Sequence, residues 1–284
     1  MTIPTNIQLQ KLEDLRNDIK RLNSVAISFS GGVDSSFLLK VAADVLGGNA
    51  IAVTIRSPFF PQRESDEAQA FCREQKIRQE MCERNVLEIA EVARNPKDRC
   101  YHCKKEMFRQ IRAVAQELGM EHVIEGSNKD DDGDYRPGML AVAELGIISP
   151  LKDCGLTKAD IRALSKYLGL PTWEKPSFAC LASRFAYGEK ITEEKLSMVE
   201  RAEQLLFDWG FRQFRVRIHG GMARIEVEPE EFARIMQEEV RTEIAEKFRA
   251  YGFTYTALDL DGYRTGSMNE ELLHNGGIEG KISG

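Results

Sequence analysis

Ser30-Gly31-Gly32-Val33-Asp34-Ser35 is the stretch that decides the fold of this chain. It follows an apolar run, Val25-Ala26-Ile27-Ser28-Phe29, and precedes an apolar-periodic segment that begins at Phe37. This order predicts a strand that turns through paired glycines into the N-terminus of a helix. Glycine lets backbone N–H groups approach a phosphate closely, and the helix dipole adds positive potential. The stretch therefore predicts an anion site; the alternative is an ordinary glycine turn in which Asp34 only starts the helix.

The predicted anion site has neither the Gly-Lys-Ser/Thr ending of a Walker loop nor the G-x-G-x-x-G of a dinucleotide fold. It resembles the PP-loop of the ATP pyrophosphatases, which bind ATP and cleave it between the α and β phosphates. The resemblance implies that Asp34 orients Mg²⁺, which prefers carboxylate and phosphate oxygens. Two residues at the carboxyl end of the second strand are expected to flank the adenine. The complete nucleotide-binding set is Ser28, Ser30, Gly31, Gly32, Asp34, Ser35 and Ser36, with Arg56 and Ser57 beside the adenine.

The composition is typical of a soluble enzyme. A chain of 284 residues with 42% hydrophobic content is long enough for two domains with a sizeable core. No apolar run approaches the length of a membrane span and the N-terminus lacks a signal-peptide core, so a cytoplasmic protein is expected. Its six cysteines are then expected to be ligands, nucleophiles or buried residues rather than disulfides. The net charge of −6 argues against a nucleic-acid partner, although it does not exclude a local basic groove.

Strands and helices alternate up to about residue 180. The predicted strands cover 25–29, 50–55, 78–82, 122–125 and 146–150, and the predicted helices include 8–22, 62–76 and a segment from Thr157 to Gly169. Strands spaced by helices in this way predict an α/β fold with a doubly wound parallel sheet, whose ligand crevice opens at the carboxyl ends of the strands. We assign residues 1–188 to this nucleotide-binding domain.

The regular alternation of strands and helices ends near Gly188, which predicts a second, smaller domain over residues 189–284. A long amphipathic helix is expected at about 192–208, followed by two alternating segments at 214–218 and 223–227. His219-Gly220-Gly221-Met222 lies between those segments, so a hairpin is predicted. A helix near 229–250 and a strand near 253–260 complete an α+β module for substrate binding or oligomerisation.

Cys100-Tyr101-His102-Cys103 is the second chemical signal. A C-x-x-C pair offers two thiolates to one metal or cluster, but redox pairs and half a zinc site produce the same spacing. A third candidate ligand is Cys180, and three cysteines can hold a four-iron cluster with one iron open. The alternative is three unrelated thiols, two of them in a short loop at a helix start. Cys72, Cys82 and Cys154 have no such context and are interpreted as structural.

Five further motifs occur together and in order along the chain, and with the loop they resemble the LarE family. They are Gly126-Ser127-Asn128-Lys129-Asp130-Asp131, Asp134-Tyr135-Arg136-Pro137-Gly138, Cys180 with Ser183-Arg184-Phe185, Arg215-Val216-Arg217, and Leu258-Asp259-Leu260-Asp261-Gly262-Tyr263-Arg264. LarE proteins are ATP-dependent sulfur transferases that help to make the nickel-pincer nucleotide cofactor of lactate racemase. The segment from Thr157 to Pro171 is similar to one shared across PP-loop enzymes, so it supports only the superfamily.

The family resemblance implies a concrete reaction. The substrate is a pyridinium dicarboxylate mononucleotide, and ATP adenylates one of its carboxylates with pyrophosphate as the leaving group. A sulfur nucleophile then displaces AMP and leaves a thiocarboxylate. This chemistry needs an anion cradle, a divalent cation, and positive groups that hold the substrate.

Cys180 is the sulfur-bearing position in this resemblance. In one branch of the family a lone cysteine there gives up its own sulfur and becomes dehydroalanine, so each chain turns over once. The present chain departs from that pattern by adding Cys100 and Cys103, and it is similar to the branch in which three cysteines bind a [4Fe-4S] cluster whose open iron carries a transferable sulfide. The cluster is our expectation, and the self-sacrificing cysteine is the alternative.

The residues expected to bind the substrate are Ser183, Arg184, Glu203, Arg215 and Arg217. Arg184 can bind phosphate or carboxylate bidentately. Arg215 and Arg217 lie two apart on a strand and so face the same side, the alternative being a solvated sheet face. Lys104 and Lys105 directly follow the cysteine pair. Each either lowers the thiol pKa or binds a phosphate, or it lies on a plain helix surface.

Two other functions are compatible with the sequence. A PP-loop tRNA thiolase uses the same activation, but it would need a basic RNA-binding surface or a zinc ribbon, and this chain is acidic. A non-catalytic nucleotide sensor would leave the thiols and the arginine pair without a role. The expected partner is a small mononucleotide, and a homo-oligomer is expected.

Overall fold

A computed structural model describes residues 4–131, 137–176, 179–264 and 266–267. Residues 134–136, which begin the motif Asp134 to Gly138, therefore lie outside the described residues. The chain divides into two compact units, Met1–Phe178 and Ala179–Gly284. This division falls ten residues before the boundary expected at residue 188, and the domain assignment stays a prediction. Within the described residues, no helix is long and apolar enough to cross a membrane.

A parallel sheet of four strands, in the order β3-β2-β1-β4, forms the centre of the first unit. The strands are β1 (Val25–Ser28), β2 (Ala50–Arg56), β3 (Gln79–Glu83) and β4 (His122–Ile124). The predicted fifth strand at 146–150 is wrong as a strand, because only Ile148 bridges to Ile124. Pro150 begins a short helix at that point, and proline at the first helical position favours a helix start.

The helices of the first unit pack on both faces of this sheet. They are α1 (Asn6–Arg21), α2 (Val33–Leu46), α3 (Gln62–Gln75), α4 (Ala90–Ala93), α5 (Arg99–Glu117), α6 (Gly138–Glu144), α7 (Pro150–Asp153) and α8 (Lys158–Tyr167). On one face, Val25 and Ile27 belong to a core with residues of α1, α2, α3 and α8. On the other, Ala26 belongs to a separate core with residues of α5 and α6. Adjacent strand residues point to opposite faces, which confirms the predicted doubly wound α/β fold.

The second unit has a three-stranded sheet in the order β5-β6-β7 with helices beside it. Its elements are α9 (Glu193–Asp208), β5 (Phe214–His219), β6 (Met222–Val227), α10 (Phe232–Ile235), α11 (Glu238–Tyr251) and β7 (Tyr255–Leu258). The predicted hairpin is confirmed, since β5 and β6 pair antiparallel across a turn in which Gly220 has φ +59°. The predicted helix over 229–250 is instead broken into a 3₁₀ turn and two helices, α10 and α11.

Candidate active site

The glycine loop lies between β1 and α2, at the carboxyl edge of the sheet. Gly31 has φ +73°, and a Cβ there would lie 3.1 Å from the Cβ of Ala68 on α3, so both the backbone angle and the packing require glycine. Ser35 Oγ lies 3.2 Å from Ser30 Oγ and donates to the carbonyl of Gly32 at 3.2 Å. Ser36 is fully buried, and its Oγ has no hydrogen-bond partner among the described residues. The loop therefore has the compact form that a phosphate cradle requires.

Asp34 lies in the first turn of α2, where its carboxylate pairs with Lys158 Nζ through Oδ2. Asn128 Nδ2 donates to the other oxygen, Oδ1, at 3.4 Å. Burial raises the pKa of Asp34, and the ion pair with Lys158 opposes that rise without cancelling it. The carboxylate is thus partly desolvated and paired with a cation, an environment typical of residues at functional sites.

A cavity of about 220 Å³ opens beside the loop within the first unit. Its lining joins the loop, the end of β4 and one side of α5: Ser28, Ser30, Gly32, Asp34, Ser35, Lys104, Met107, Phe108, Ile111, Glu125, Gly126, Ser127 and Asp131. Gly126 is packed so closely on α2 that a Cβ would lie 3.1 Å from the Ser35 nitrogen. The carboxyl ends of β1 and β4 therefore meet at one cleft, as predicted for a doubly wound sheet.

A second, smaller cavity of about 50 Å³ lies at the carboxyl end of β2. Phe29, Val53, Ile55 and Phe60 contribute to its lining, so part of its wall suits a flat apolar group. Arg56 and Ser57 are not among the described residues that line either cavity. Arg56 Nη2 instead lies 3.9 Å from Asp66.

Cys100 and Cys103 lie in the first two turns of α5 itself rather than in a loop before it, and neither forms a disulfide. Arg99 is 2% exposed, its Nη1 donates to Asn95 Oδ1, and its Nη2 lies 3.8 Å from Cys100 Sγ. Cys103 Sγ lies 3.7 Å from Met107 Sδ. The pair thus presents one half-buried thiol beside a buried cation and one buried thiol beside a thioether.

The two lysines next to this pair have different surroundings. Lys104 lines the large cavity, opposite the glycine loop. Lys105 Nζ instead donates to Tyr101 Oη at 2.6 Å and to Glu144 Oε2 at 2.7 Å, which ties α5 to α6. Lys104 therefore lies at the cavity, whereas the contacts of Lys105 agree with the helix-surface alternative.

The other three cysteines lack the features of reactive thiols. Burial raises the pKa of Cys72 to about 12, and burial beside Asp18 raises the pKa of Cys154 to about 12. Burial also raises the pKa of Cys82. Thiols with raised pKa values hold few thiolates at neutral pH, so these contacts support a structural role.

Cys180, the predicted sulfur-bearing residue, belongs to the second unit, and a 3₁₀ turn, Leu181–Arg184, follows it directly. Arg184 is 1% exposed and accounts for the shape of this turn. Its Nη1 donates to the carbonyls of Ala179 at 3.1 Å and Cys180 at 3.4 Å, and to Ser183 Oγ at 2.6 Å. On the other side, Nε and Nη2 donate to both oxygens of Glu203 at 2.7 and 2.9 Å. The backbone around Cys180 is therefore fixed by a buried ion pair.

Arg215 and Arg217 are both buried, so the alternative of a solvated sheet face is wrong. They lie on one side of β5, as expected, and Arg217 Nε and Nη2 donate to both oxygens of Glu226 at 3.0 Å. Arg217 Nη1 also donates to the carbonyl of Ser183 at 2.7 Å. Arg215 lies 5.0 Å from the ring centre of Tyr263. Burial and the nearby Arg184 lower the pKa of Arg215 to about 10.

Five side chains of the second unit thus form a buried charged cluster: Arg184, Glu203, Arg215, Arg217 and Glu226, each at most 7% exposed. Burial alone would raise the pKa of Glu203, but Arg184 outweighs burial and holds that pKa below its usual value. Three guanidinium groups against two carboxylates leave one excess positive charge. A bound anionic group would compensate such a buried excess of positive charge.

Three residues that contact the nucleotide loop or brace it were not predicted from the sequence. Lys158 pairs with Asp34, and Lys175 Nζ donates to the carbonyl of Gly31 at 3.0 Å and pairs with Glu67 at 2.6 Å. Arg162 donates to the carbonyls of Trp173 and Lys175 at 2.6 and 2.9 Å. All three belong to α8 or the turn that follows it. The similarity of Thr157 to Pro171 with other PP-loop enzymes was the signal that pointed to this region.

In the described part of the chain, no group of three or more His, Cys, Asp or Glu side chains is arranged to hold a metal ion. Cys100 and Cys103 belong to the first unit and Cys180 to the second. The thiol chemistry of these residues suits iron, and the cluster stays a prediction.

Comparison with known proteins identifies the family, although no family model matches the chain. An uncharacterized protein of Synechocystis sp. is 44% identical over 262 residues, which are 92% of this chain and 98% of that protein. The pyridinium-3,5-bisthiocarboxylic acid mononucleotide synthase of Lactiplantibacillus plantarum is 37% identical over 256 residues, 89% of this chain and 92% of the synthase. A glutamine-hydrolyzing GMP synthase chain of Thermoplasma volcanium is more distant, at 25% identity over 209 residues, 68% of this chain and 66% of that protein. Because the match to the mononucleotide synthase extends over nearly the whole of both proteins, this chain belongs to the LarE family of enzymes.

Proposed function

We propose that this enzyme is an ATP-dependent sulfur transferase that converts a carboxylate of a pyridinium mononucleotide into a thiocarboxylate, in the biosynthesis of the nickel-pincer nucleotide. The 37% identical relative is named for such a product. The observation that carries the proposal is the position of Cys180, directly beside a buried charged cluster with an excess positive charge. A sulfur nucleophile and an anion-binding group then belong to one unit, while the nucleotide loop belongs to the other.

In the first half-reaction, the substrate carboxylate oxygen attacks the α-phosphorus of ATP. The bond from that phosphorus to the bridging oxygen breaks, and pyrophosphate leaves with the electron pair. Backbone amides of the loop and the N-terminus of α2 hold the phosphates, and Lys104 and Lys158 supply positive charge at the same cavity. We place the adenine at the carboxyl end of β2, where Arg56 and Ser57 are expected to flank it and the small cavity adds an apolar wall.

Mg²⁺ fits the large cavity, because the carboxylates of Asp34 and Asp131 both line it beside the loop. When bound there, Mg²⁺ would neutralise phosphate charge in the adenylation step. Asp34 is the residue that would hold it, since it lies in the first turn of α2 directly after the glycine loop and lines the cavity.

In the second half-reaction, a sulfur nucleophile attacks the acyl carbon and the bond to AMP breaks, which leaves the thiocarboxylate and AMP. Cys100, Cys103 and Cys180 are the residues that would hold a [4Fe-4S] cluster, and Arg99 supports this assignment because its positive charge lies 3.8 Å from Cys100 Sγ. A cluster with an open iron would supply the transferred sulfide. In the alternative, Cys180 Sγ itself attacks, and its Cβ–Sγ bond breaks with loss of the Cα proton to leave dehydroalanine.

The excess positive charge of the buried cluster supports binding of the substrate's phosphate or carboxylate by Arg215 and Ser183. Arg184 contributes its charge while its own donors hold Glu203, Ser183 and the backbone. Glu203 and Arg217 act differently in this proposal. Glu203 holds Arg184 bidentately, and Arg217 is held by Glu226 while it donates to the carbonyl of Ser183. They are therefore positioning residues rather than direct substrate contacts.

The test is an anaerobic reaction of purified protein with ATP and the pyridinium dicarboxylate mononucleotide, analysed for AMP, pyrophosphate and the mass of the product. Exchange of one oxygen for sulfur, with AMP formation that requires the substrate, is the expected outcome. ATP binding without AMP formation would instead indicate a nucleotide sensor. AMP formation stimulated by tRNA, with salt-dependent tRNA binding, would indicate a thiolase.

Two further expectations belong to this proposal. The enzyme would act in the cytoplasm, where a reducing environment suits its six cysteines, none of which forms a disulfide. It would also form a homo-oligomer, which sedimentation equilibrium of the purified protein would test.

A further inference from the structure

Lys158 is held against Asp34 by a rigid frame. It is the first residue of α8, its backbone N–H donates to Asp130 Oδ2 at 2.8 Å, and its Nζ pairs with Asp34 Oδ2. The start of α8 is fixed by a capping box between Thr157 and Asp160. The position of the lysine backbone is therefore set independently of the nucleotide loop, and only its side chain is free to change partners.

Helix α1 reinforces this frame from outside. Lys11 Nζ pairs with Asp160 Oδ2 at 2.6 Å and donates to the carbonyl of Gly155 at 2.7 Å. Gln8 Nε2 donates to the other oxygen of Asp160 at 3.1 Å. Contacts from α1, from the start of α8 and from Asp130 thus fix the backbone of Lys158, so that its ammonium group lies at the Asp34 carboxylate. The divalent cation is proposed to bind at the same carboxylate.

We propose that Lys158 is a positioning residue that occupies the cation position at Asp34 in the absence of nucleotide, so that a divalent cation binds there only together with ATP. An ammonium group and a divalent cation repel each other and compete for the same carboxylate oxygen. The phosphates of ATP bring enough negative charge to hold both. Lys158 Nζ then pairs with a phosphate oxygen, and Asp34 is released to the cation.

This arrangement has a functional consequence. The pocket does not collect free divalent cations, because the lysine neutralises Asp34 until the nucleotide arrives. The inference rests on the proposed role of Asp34 as the cation ligand, but it is independent of where the sulfur comes from.

The experiment measures Mn²⁺ binding to the full chain by electron paramagnetic resonance, with and without the non-hydrolysable analogue α,β-methylene-ATP. In the wild-type protein, the analogue should raise the affinity for Mn²⁺ strongly. In Lys158→Met, Mn²⁺ affinity without the analogue should rise by about ten-fold or more, because the competing charge is gone. The gain on adding the analogue should shrink, and the affinity for the analogue should fall.

Three further variants make the result interpretable. Lys158→Arg keeps the charge and should keep the nucleotide dependence. Lys40→Met removes a lysine from an exposed pair with Asp44 on α2, and it should bind Mn²⁺ like the wild type. Lys158→Gln replaces Lys158→Met if circular dichroism shows that the latter is misfolded.

The outcomes separate this inference from the proposed function. An unchanged Mn²⁺ affinity of Lys158→Met in the absence of the analogue would overturn the inference. Asp34→Asn should lose Mn²⁺ binding in the presence of the analogue. If Asp34→Asn binds Mn²⁺ and the analogue normally, Asp34 is not the cation ligand and that part of the proposed function fails instead.

Discussion

The ion pair at the glycine loop of the first unit and the ion pair on the hairpin of the second unit differ in their exposure to solvent. In the first unit, the side chains of Asp34 and Lys158 are 22% and 30% exposed, and Asp34 lines the large cavity. In the second unit, the side chains of Arg217 and Glu226 are 8% and 0% exposed and are joined by two parallel hydrogen bonds. Partly exposed pairs can exchange partners at little cost, whereas breaking a buried pair leaves an uncompensated charge. The pair of Asp34 and Lys158 is thus suited to exchanging ions, and the pair of Arg217 and Glu226 to fixing the position of groups.

The largest effect is expected at the exchanging pair. Asp34→Ala should lower AMP formation by about a hundred-fold or more, because it removes the proposed cation ligand. The free energy of unfolding should change by no more than about 1 kcal/mol, since the partner Lys158 can be solvated. Steady-state AMP release and urea unfolding measure the two quantities.

Asp44→Ala is the matched control for this variant, because Asp44 lies on the same helix in an exposed pair with Lys40. It should keep both activity and stability. Normal AMP release by Asp34→Ala would remove Asp34 from the mechanism and weaken the contrast between the units.

The three predicted cluster ligands come from both units, and losing any one should have an all-or-none effect. Cys100→Ala, Cys103→Ala and Cys180→Ala should each lose the brown colour and the roughly four irons of the anaerobic protein, because two thiolates rarely retain a cluster. Cys154→Ala should keep them, since that thiol hydrogen-bonds to Asp18 away from this chemistry.

Mass spectrometry after turnover distinguishes the two sources of sulfur. With a cluster, Cys180 should keep its mass and turnover should exceed one sulfur per chain when sulfide is supplied. An iron-free protein with dehydroalanine at position 180 would exclude the cluster and leave the sulfur-transferase proposal standing.

The third effect tests the fixed pair directly. Arg217→Ala should destabilise the second unit by about 3–5 kcal/mol, because it leaves Glu226 buried without its bidentate partner. Arg224→Ala is the matched control: it also donates to Glu226, at 3.1 Å, but is 32% exposed, and its loss should cost about 1 kcal/mol or less. Urea unfolding followed by the fluorescence of Trp209, in a Trp173→Phe background, measures the second unit. Equal losses in the two variants would contradict the comparison.

The local parts of this arrangement were predictable from the sequence. Strand, glycine loop and helix follow one another within 25–46, so period and glycine position were enough to predict them. Lys158 and Lys175 were not predictable in this way, because they reach the loop from 124 and 144 residues further along the chain. Neither local propensity nor hydrophobic period carries information on such contacts.

The burial of Arg215 and Arg217 was not predictable from the sequence for a related reason. Their alternation on β5 predicts that they share a face, but not whether that face is covered. In the structure, residues of two other segments lie against β5. Glu203 on α9 holds Arg184 and accepts a hydrogen bond from the Val216 N–H at 2.9 Å. Ser267 accepts a hydrogen bond from Arg217. These two residues come from different parts of the chain, so the alternation on β5 alone does not predict that they bury the arginines.

A smaller effect is expected for binding of the substrate. Arg215→Ala should weaken binding of the mononucleotide by about 1.5–3 kcal/mol, the range for hydrogen bonds to charged groups. ATP binding should change little, since the loop belongs to the other unit. Arg212→Ala, an exposed arginine just before β5, should change neither affinity. Unchanged substrate affinity of Arg215→Ala in calorimetry would leave Arg215 with only a structural role.

The smallest effect concerns acid stability at the frame that supports Lys158. Burial tends to raise the pKa of Asp160, but its hydrogen bonds, foremost that from Lys11, outweigh burial and lower the pKa to about 2. A lowered folded-state pKa means that this stabilisation is present above the unfolded value of about 4 and is lost as the pH falls toward 2. Because solvent screens the pair, its contribution is at most about 1 kcal/mol. Lys11→Met should therefore lose slightly more stability at pH 7 than at pH 2.5 in urea unfolding, whereas Arg21→Met, from an exposed pair on the same helix, should show no such difference. An equal loss at both pH values would mean that Lys11 acts through packing, and that the frame is not electrostatic.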